Sequence, residues 1–265
     1  MGGKVKIIVL VKQVPEIALV NVDESSAKVE YPQGPGVINP FDSYAIEEAL
    51  KIKEKNGAET VAISVGGKQS EVALKEALSL GIDRAILASD PLFENSDNQA
   101  VAKILAAALE KIGEYDLVLG GKQAIDSDDA MVPAALAARL GASQAMFVRK
   151  ITEISGSSIT VERTTEDGHD VVDVSLPAVL SVVKEINEPR LPSLKGKMKA
   201  KKATIEQLSA ADLGLDSAGL GKQSPTLVEK ASNPPPRPAG EIIEGETPEE
   251  IAEKLFKKLR EDQVI

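Results

Sequence analysis

The chain contains no cysteine, no tryptophan and a single histidine, His169. The first absence excludes disulfides, thiolate metal sites and cysteine nucleophiles. The second, with aromatic residues at only 3%, leaves the core to Val, Ile, Leu and Ala, and limits any site that would stack bases or flavins on rings. One histidine excludes histidine-based metal clusters and speaks against a Ser-His-Asp triad. With no nucleophile beside it, His169 reads as a turn or strand surface residue, so neither a catalytic nor a metal site is expected. No apolar run approaches the roughly 18 residues of a membrane span. The chain enters a strand at once, without a signal-peptide pattern, and the expected compartment is the cytoplasm. Positive charge is also short: 31 Lys and Arg against 41 Asp and Glu give a net charge of −10, the wrong sign for a general nucleic-acid binder.

What is present is an alternation. Lys6 to Val11 is a continuous β-branched run, the pattern of a parallel strand buried on both faces. After a weakly alternating stretch from Glu16 to Val37, including Lys28-Val29-Glu30-Tyr31, which suits a hairpin, Asn39-Pro40-Phe41-Asp42 starts a helix that Asp42 or Ser43 can cap and Gly57 ends. Strands are expected at 60–65, 84–88, 116–119 and 144–148, with helices at about 70–80, 98–111 and 129–140 between them. This is α/β grammar: a doubly wound, mainly parallel sheet. From Lys150 to Ser181 a hairpin is added, turning at Glu166-Asp167-Gly168, and the apolar Ala178 to Val183 rejoins the sheet. Residues 187–202 are rich in Pro and Lys, and 212–239 in Gly, Ser and Pro, which reads as a linker or extended arm. A last helix has Thr247 as its cap, Pro248 in its first turn and the apolar stripe Ile251, Leu255, Phe256 and Leu259.

Open parallel sheets bind ligands at the carboxyl ends of their strands. Three such ends carry small or turn residues: Asn39-Pro40, Ser64-Val65-Gly66-Gly67 and Gly120-Gly121-Lys122-Gln123. The third continues through Ala124, Ile125, Asp126, Ser127, Asp128 and Asp129 into an Ala-rich helix. Pattern alone admits two readings there: a plain loop whose aspartates cap the helix, or a loop whose backbone amides meet a phosphate. The three aspartates weigh against the second. No Walker pattern and no G-x-G-x-x-G is present, so neither a P-loop NTPase nor a dinucleotide-type dehydrogenase is supported.

GKQAID at 121–126, after DLVLGG, resembles the electron transfer flavoprotein beta subunit family. So do VKQVP at 11–15, NPFDSYAIEEAL at 39–50, EALSLGIDRAI at 76–86, VERTTEDGHD from Val161, LPAVLSV, NEPRLPSLKGKMKAKK and RPAGEIIEGETPEEIAEKL. The resemblance covers nearly the whole chain. It implies a heterodimer with an alpha subunit that holds most of the redox FAD. The beta subunit carries a structural AMP, or in electron-bifurcating members a second FAD with NADH as donor. Matched to the family pattern, the nucleotide site would include Leu10, Asn39, Pro40, Phe41, Asp42, Val65, Gly66 and the loop Gly121, Lys122, Gln123, Ala124, Ile125, Asp126, Ser127, Asp128, Asp129, Ala130, Met131 and Val132. Met131 stands where the family usually carries Gln, and Pro133, which has no N–H, where it usually carries Gly.

The resemblance also implies a recognition loop at 182–204, where Leu194, flanked by Lys195, Lys199 and Lys202, docks into a flavin dehydrogenase such as an acyl-CoA dehydrogenase. Without it, the lysine run reads as a solvated face. The expected organisation is a nucleotide-binding domain over 1–212, then an arm and helix over 213–265 that pack on the alpha subunit. The expected function is that of an electron carrier subunit. A bifurcating subunit with NADH-dependent oxidoreductase activity is the alternative, and a nucleotide-binding module without a redox role is a third reading.

Overall fold

The computed structural model describes residues 5–23, 28–30, 34, 36–235 and 239–265. Strands β1 (Lys6–Leu10) and β2 (Gln13–Val14) are followed by β3 (Asn21–Asp23), β4 (Lys28–Glu30) and β5 (Val37–Ile38). Helix α1 (Pro40–Asn56) opens the alternation β6 (Glu59–Val65), α2 (Glu71–Leu80), β7 (Arg84–Ala88), α3 (Asn98–Ile112), β8 (Leu117–Gly121), α4 (Val132–Leu140). Then come β9 (Ser143–Ser155), β10 (Ser158–Thr164), β11 (His169–Ser175), β12 (Ala178–Val182), α5 (Leu194–Lys202), β13 (Glu206–Leu208) and α6 (Pro248–Glu261).

Among the described residues, nine strands form one sheet in the order β11-β10-β9-β12-β8-β1-β6-β7-β13. From β9 to β13 every neighbouring pair is parallel, and β10 runs antiparallel to β9 and β11. The expected α/β class and mainly parallel sheet are therefore what the chain adopts, with His169 opening the edge strand β11. The β1 run is apolar from Ile7 to Leu10 because both its faces are covered. Ile7 and Val9 pack with Ala45, Ala49, Leu74 and Ala77 of α1 and α2. Ile8 and Leu10 pack with Ala102, Leu105, Leu109 and Leu136 of α3 and α4. Each buried Ile, Val or Leu among them stabilises the fold by about 1.5–3 kcal/mol relative to exposure.

One local expectation is met as far as the described residues reach, and two change. β3 and β4 do pair antiparallel as a small separate ribbon, Asn21 opposite Glu30, but Tyr31 of the expected hairpin lies outside the described residues. Helix α1 has Asn39 as its N-cap, with no side-chain cap; Asp42 is engaged elsewhere. The Pro- and Lys-rich stretch is not all loop: Leu194–Lys202 is helix α5, capped where Ser193 Oγ accepts from the Gly196 N–H at 3.0 Å. Lys, Met and Ala are good helix formers once past Pro192. Gly196 lets α5 close on α2, since a Cβ there would stand 2.1 Å from the Ser79 carbonyl oxygen.

The described chain divides into two units, 1–231 and 232–265. The division falls after the expected boundary at 212 because Leu213, Leu215 and Leu220 pack with Phe93, Ala100 and Ile104. In the second unit, the Thr247 hydroxyl caps α6 by accepting from the Glu250 N–H at 3.3 Å, and no residue of α6 is buried. Of the three successive prolines, Pro236 lies outside the described residues. Among the described residues, no helix is long and apolar enough to cross a membrane, and no cluster of potential metal ligands occurs.

Candidate functional site

The chain leaves β1 through α1 to β6, continues outward to β7, and returns across the sheet to β8 on the other side of β1. That reversal opens a crevice at the carboxyl ends of the strands. A cavity of about 510 Å³ occupies it. Leu10 and Val65 at the strand ends and Val101 and Leu105 of α3 give it apolar walls, while Gly66, Gly67 and residues of the loop after β8 give it polar ones.

Two buried polar residues shape the mouth. Asn39, 1% exposed, donates from Nδ2 to Asp42 Oδ1 and to the Gln123 carbonyl, both at 2.9 Å, and accepts from the Ile125 N–H at 3.2 Å. Asp42, 5% exposed, accepts from the Lys12 N–H at 2.7 Å and the Gly121 N–H at 3.3 Å. The start of α1 therefore ties the end of β1 to the loop after β8. Burial pushes the Asp42 carboxyl up to about 7, against the pull of its N–H donors.

The aspartates of that loop are all engaged within the protein, and none caps α4. Asp126 pairs with Lys12 at 2.7 Å, Asp128 accepts from Gln123, and Asp129 accepts from Asn98 at 2.7 Å. Asp128 and Ala130 sit at φ of +54° and +51°, a conformation costly for non-glycine residues. Helix α4 begins only at Val132, after Met131, and has no side-chain cap.

Of the residues named from sequence, Leu10, Asn39, Asp42, Val65, Gly66, Gly121, Gln123, Ala124, Ser127, Asp129, Ala130, Met131 and Val132 line this cavity. Pro40, Phe41, Lys122, Ile125, Asp126 and Asp128 do not. Lys122 lies 5.1 Å from the centre of the Phe41 ring, a cation–π contact outside the cavity. Sequence reasoning missed the segment from Phe93 to Asn98, which forms the opposite wall. Its signal was available: it follows β7, a fourth parallel strand whose carboxyl end points the same way.

Residues 31–213 match the electron transfer flavoprotein domain. The electron transfer flavoprotein subunit beta of Thermoanaerobacterium thermosaccharolyticum is 42% identical to this chain over 261 residues, 98% of this chain and 99% of that one. The chain belongs to the electron transfer flavoprotein beta subunit family. It is also similar to CarD, a subunit of the caffeyl-CoA reductase-Etf complex of Acetobacterium woodii, at 38% identity over 98% of this chain and all of that one. Protein FixA of Azorhizobium caulinodans is 36% identical over 87% of this chain and 85% of its own length. The family is one of flavoprotein subunits that serve electron transfer.

In this electron transfer flavoprotein chain, the docking residues expected from sequence stand together on the surface. Leu194 is 78% exposed at the start of α5, and Lys195, Lys199 and Lys202 are exposed along it. Leu191, 91% exposed, and Met198, 59%, extend the apolar strip and were not foreseen. Arg190 anchors the segment to α1, donating to Glu47 at 2.8 Å and forking onto Glu54. Glu47 is buried, so this clamp is screened less than a surface pair.

Proposed function

We propose that this chain is the small subunit of a heterodimeric electron transfer flavoprotein, shuttling electrons between flavin dehydrogenases, acyl-CoA dehydrogenases among them, and an acceptor. In this reading the alpha subunit holds the redox FAD, and the cavity of this chain holds AMP as a structural ligand. The observation that carries it is the cavity at the strand-order reversal. Its volume lies within the usual range for small-ligand sites, and its lining suits a nucleotide. Leu10 and Val65 offer a surface to a base, while Gly66 and the amides between Ala124 and Val132 offer donors to an anion. The aspartates, which weighed against a phosphate, are already occupied by Lys12, Gln123 and Asn98.

The flavin supplies the electron chemistry, and this chain supplies binding and orientation. Leu194, with Leu191 and Met198 beside it, offers an apolar anchor, and the lysines steer an acidic partner surface. The Acetobacterium woodii relative takes its name from a complex with a CoA-ester reductase, the kind of partner proposed here. The exposed apolar stripe of α6 is assigned to the alpha subunit.

One observation favours a second reading. The cavity is also lined by Phe93, Glu94, Asn95, Ser96 and Asn98, and this wall beyond the loop after β8 supports a second FAD in place of AMP, with NADH as donor and part of the flavin reaching outside the cavity. Denaturing the purified heterodimer and identifying the released nucleotides decides between them. One flavin and one AMP per heterodimer supports the carrier; two flavins and no AMP supports the bifurcating form. Absence of any adenine nucleotide beyond the alpha subunit's FAD defeats both.

A further inference from the structure

A carboxylate in the wall of an anion's cavity is repulsive unless it is neutralised. Asp42 is such a group: almost fully buried and part of the lining. It cannot swing away, because Lys12, Asn39 and Gly121 hold its two oxygens from three segments. The Lys12 ammonium, which pulls this carboxyl down, also pairs with Asp126 at 2.7 Å. Other charges around it do not compensate. Glu94 lines the far wall and adds negative charge, and Asp129 is tied to Asn98. Lys122 lies over Phe41 outside the cavity, Lys68 is exposed beyond Gly67, and Glu47 and Glu48, further along α1, face Arg190, Lys51 and Asn187.

Resting on the reading of the cavity as a nucleotide site, we propose that Asp42 makes nucleotide binding proton-linked: the anion enters together with a proton on the Asp42 carboxyl. The step is balanced, with AMP and one proton from solvent giving a complex in which the neutral acid replaces a repulsive wall by a hydrogen-bond donor. Burial outweighs the N–H donors and Lys12 and leaves this carboxyl at about 7, and a further negative charge brought beside it in the cavity favours its protonated form. The sign follows: AMP binds more weakly as pH rises above neutrality, and proton uptake vanishes in acid, where the carboxyl is already neutral.

The test is calorimetric titration of AMP into the heterodimer freed of its adenine nucleotide, in buffers of different ionisation heat. The expected uptake is roughly half a proton per AMP at about pH 7.5, where the AMP phosphate, with a second pKa of about 6, is already ionised, with affinity falling about three- to tenfold between about pH 7 and 8.5. Asp42→Asn should abolish both the uptake and that slope. Should the variant not fold, infrared difference spectra of the unaltered protein serve instead: AMP at about pH 7.5 should raise a protonated-carboxyl band. AMP binding with no proton uptake and no such band overturns the inference, as does equal uptake by Asp42→Asn. Failure of AMP to bind at any pH overturns instead the nucleotide reading beneath it.

Discussion

Gly121→Ala places a methyl group where the protein has no space. A Cβ at this position would lie 2.5 Å from Asp42 Oδ1, 2.6 Å from the Phe41 carbonyl carbon and 2.7 Å from Phe41 Cβ. Ordinary carbon contacts are near 3.5–4 Å, so the overlap is about 1 Å, and much of it is against backbone. The first turn of α1 must retreat from β8. Overpacking of this kind costs about 1–3 kcal/mol, and the retreat weakens the Gly121–Asp42 and Asn39–Asp42 hydrogen bonds, each worth about 1 kcal/mol. The expected loss is therefore about 2–4 kcal/mol. With a urea dependence of about 1–3 kcal/mol per molar, the unfolding midpoint should fall by roughly 1 M or more, and nucleotide content should fall with it. The packing thus ties nucleotide loss to loss of stability. Gly120→Ala is the control: its Cβ meets the side chains of Leu10 and Pro133 at 3.2 and 3.3 Å, which need yield only a few tenths of an ångström. A Gly121→Ala protein with the parent midpoint and full nucleotide would refute the reasoning.

Asn39→Ala strips partners from Asp42, the Gln123 carbonyl and the Ile125 N–H at once; a loss of about 1–3 kcal/mol and faster amide exchange at 122–126 are expected, and unchanged exchange would count against the role given to Asn39. Leu194→Ala should slow electron transfer with the dehydrogenase by about tenfold at subsaturating partner, as for a loss of about 1.4 kcal/mol of binding, while leaving the melting temperature in place because the side chain is exposed; unaltered transfer would move the anchor to Leu191 or Met198. Truncation after Ala231 should lower heterodimer yield but spare the nucleotide, whereas truncation after Leu220 should cost both, since it removes Ser224 and Thr226, which hold Asp97 beside the cavity-lining Phe93–Asn98; equal nucleotide content in the two truncations would show that hold to be idle. The Asp42 carboxyl rises from its ordinary 3.8 to about 7 on folding, so the folded chain keeps a proton that the unfolded chain has lost. The group therefore favours folding most below about pH 4, and its contribution fades as pH climbs to 7; the stability difference between the parent and Asp42→Asn, from denaturant midpoints, should decline over that window.

Much of the fold is legible because burial on two faces leaves a mark that burial on one face does not. Lys6 to Leu10, Glu59 to Val65 and Ala178 to Val182 are strands at or near the expected positions, since continuous apolar runs of that length suit few other structures. The misreadings share a cause. Gly120 and Gly121 read as turn residues, yet both belong to β8, and Gly121 is small because α1 rests on it. Gly196 reads as part of a loop, yet it lies within α5 and lets that helix close on α2. Glycine signals either an unusual backbone or a close neighbour, and one sequence cannot distinguish a turn from a contact made 79 residues away in the chain, such as that between Gly121 and Asp42.

The candidate site was legible in its location and less so in its logic. The tendency of parallel sheets to bind ligands at the carboxyl ends of their strands leads to the site, and glycines mark two of those ends, but Phe93–Asn98 carries no glycine and went unnoticed although it lines the cavity. Charge was the harder signal. Three aspartates in one loop look hostile to an anion when counted, but each is held by a donor of the protein: Lys12 after β1, Gln123 at the loop's own start, Asn98 at the start of α3. Tying Asp126 and Asp129 down links the loop to β1 and α3, and those links hold Ala130 at a φ it would not choose alone. Asp42, which pattern alone offers as a helix cap and the resemblance places in the nucleotide site, differs from these aspartates in burial: it is 5% exposed in the cavity wall, and that burial raises its carboxyl to about 7. Net charge in a loop therefore says little about which ligand the loop admits; what matters is how each carboxylate is held and how deeply it is buried.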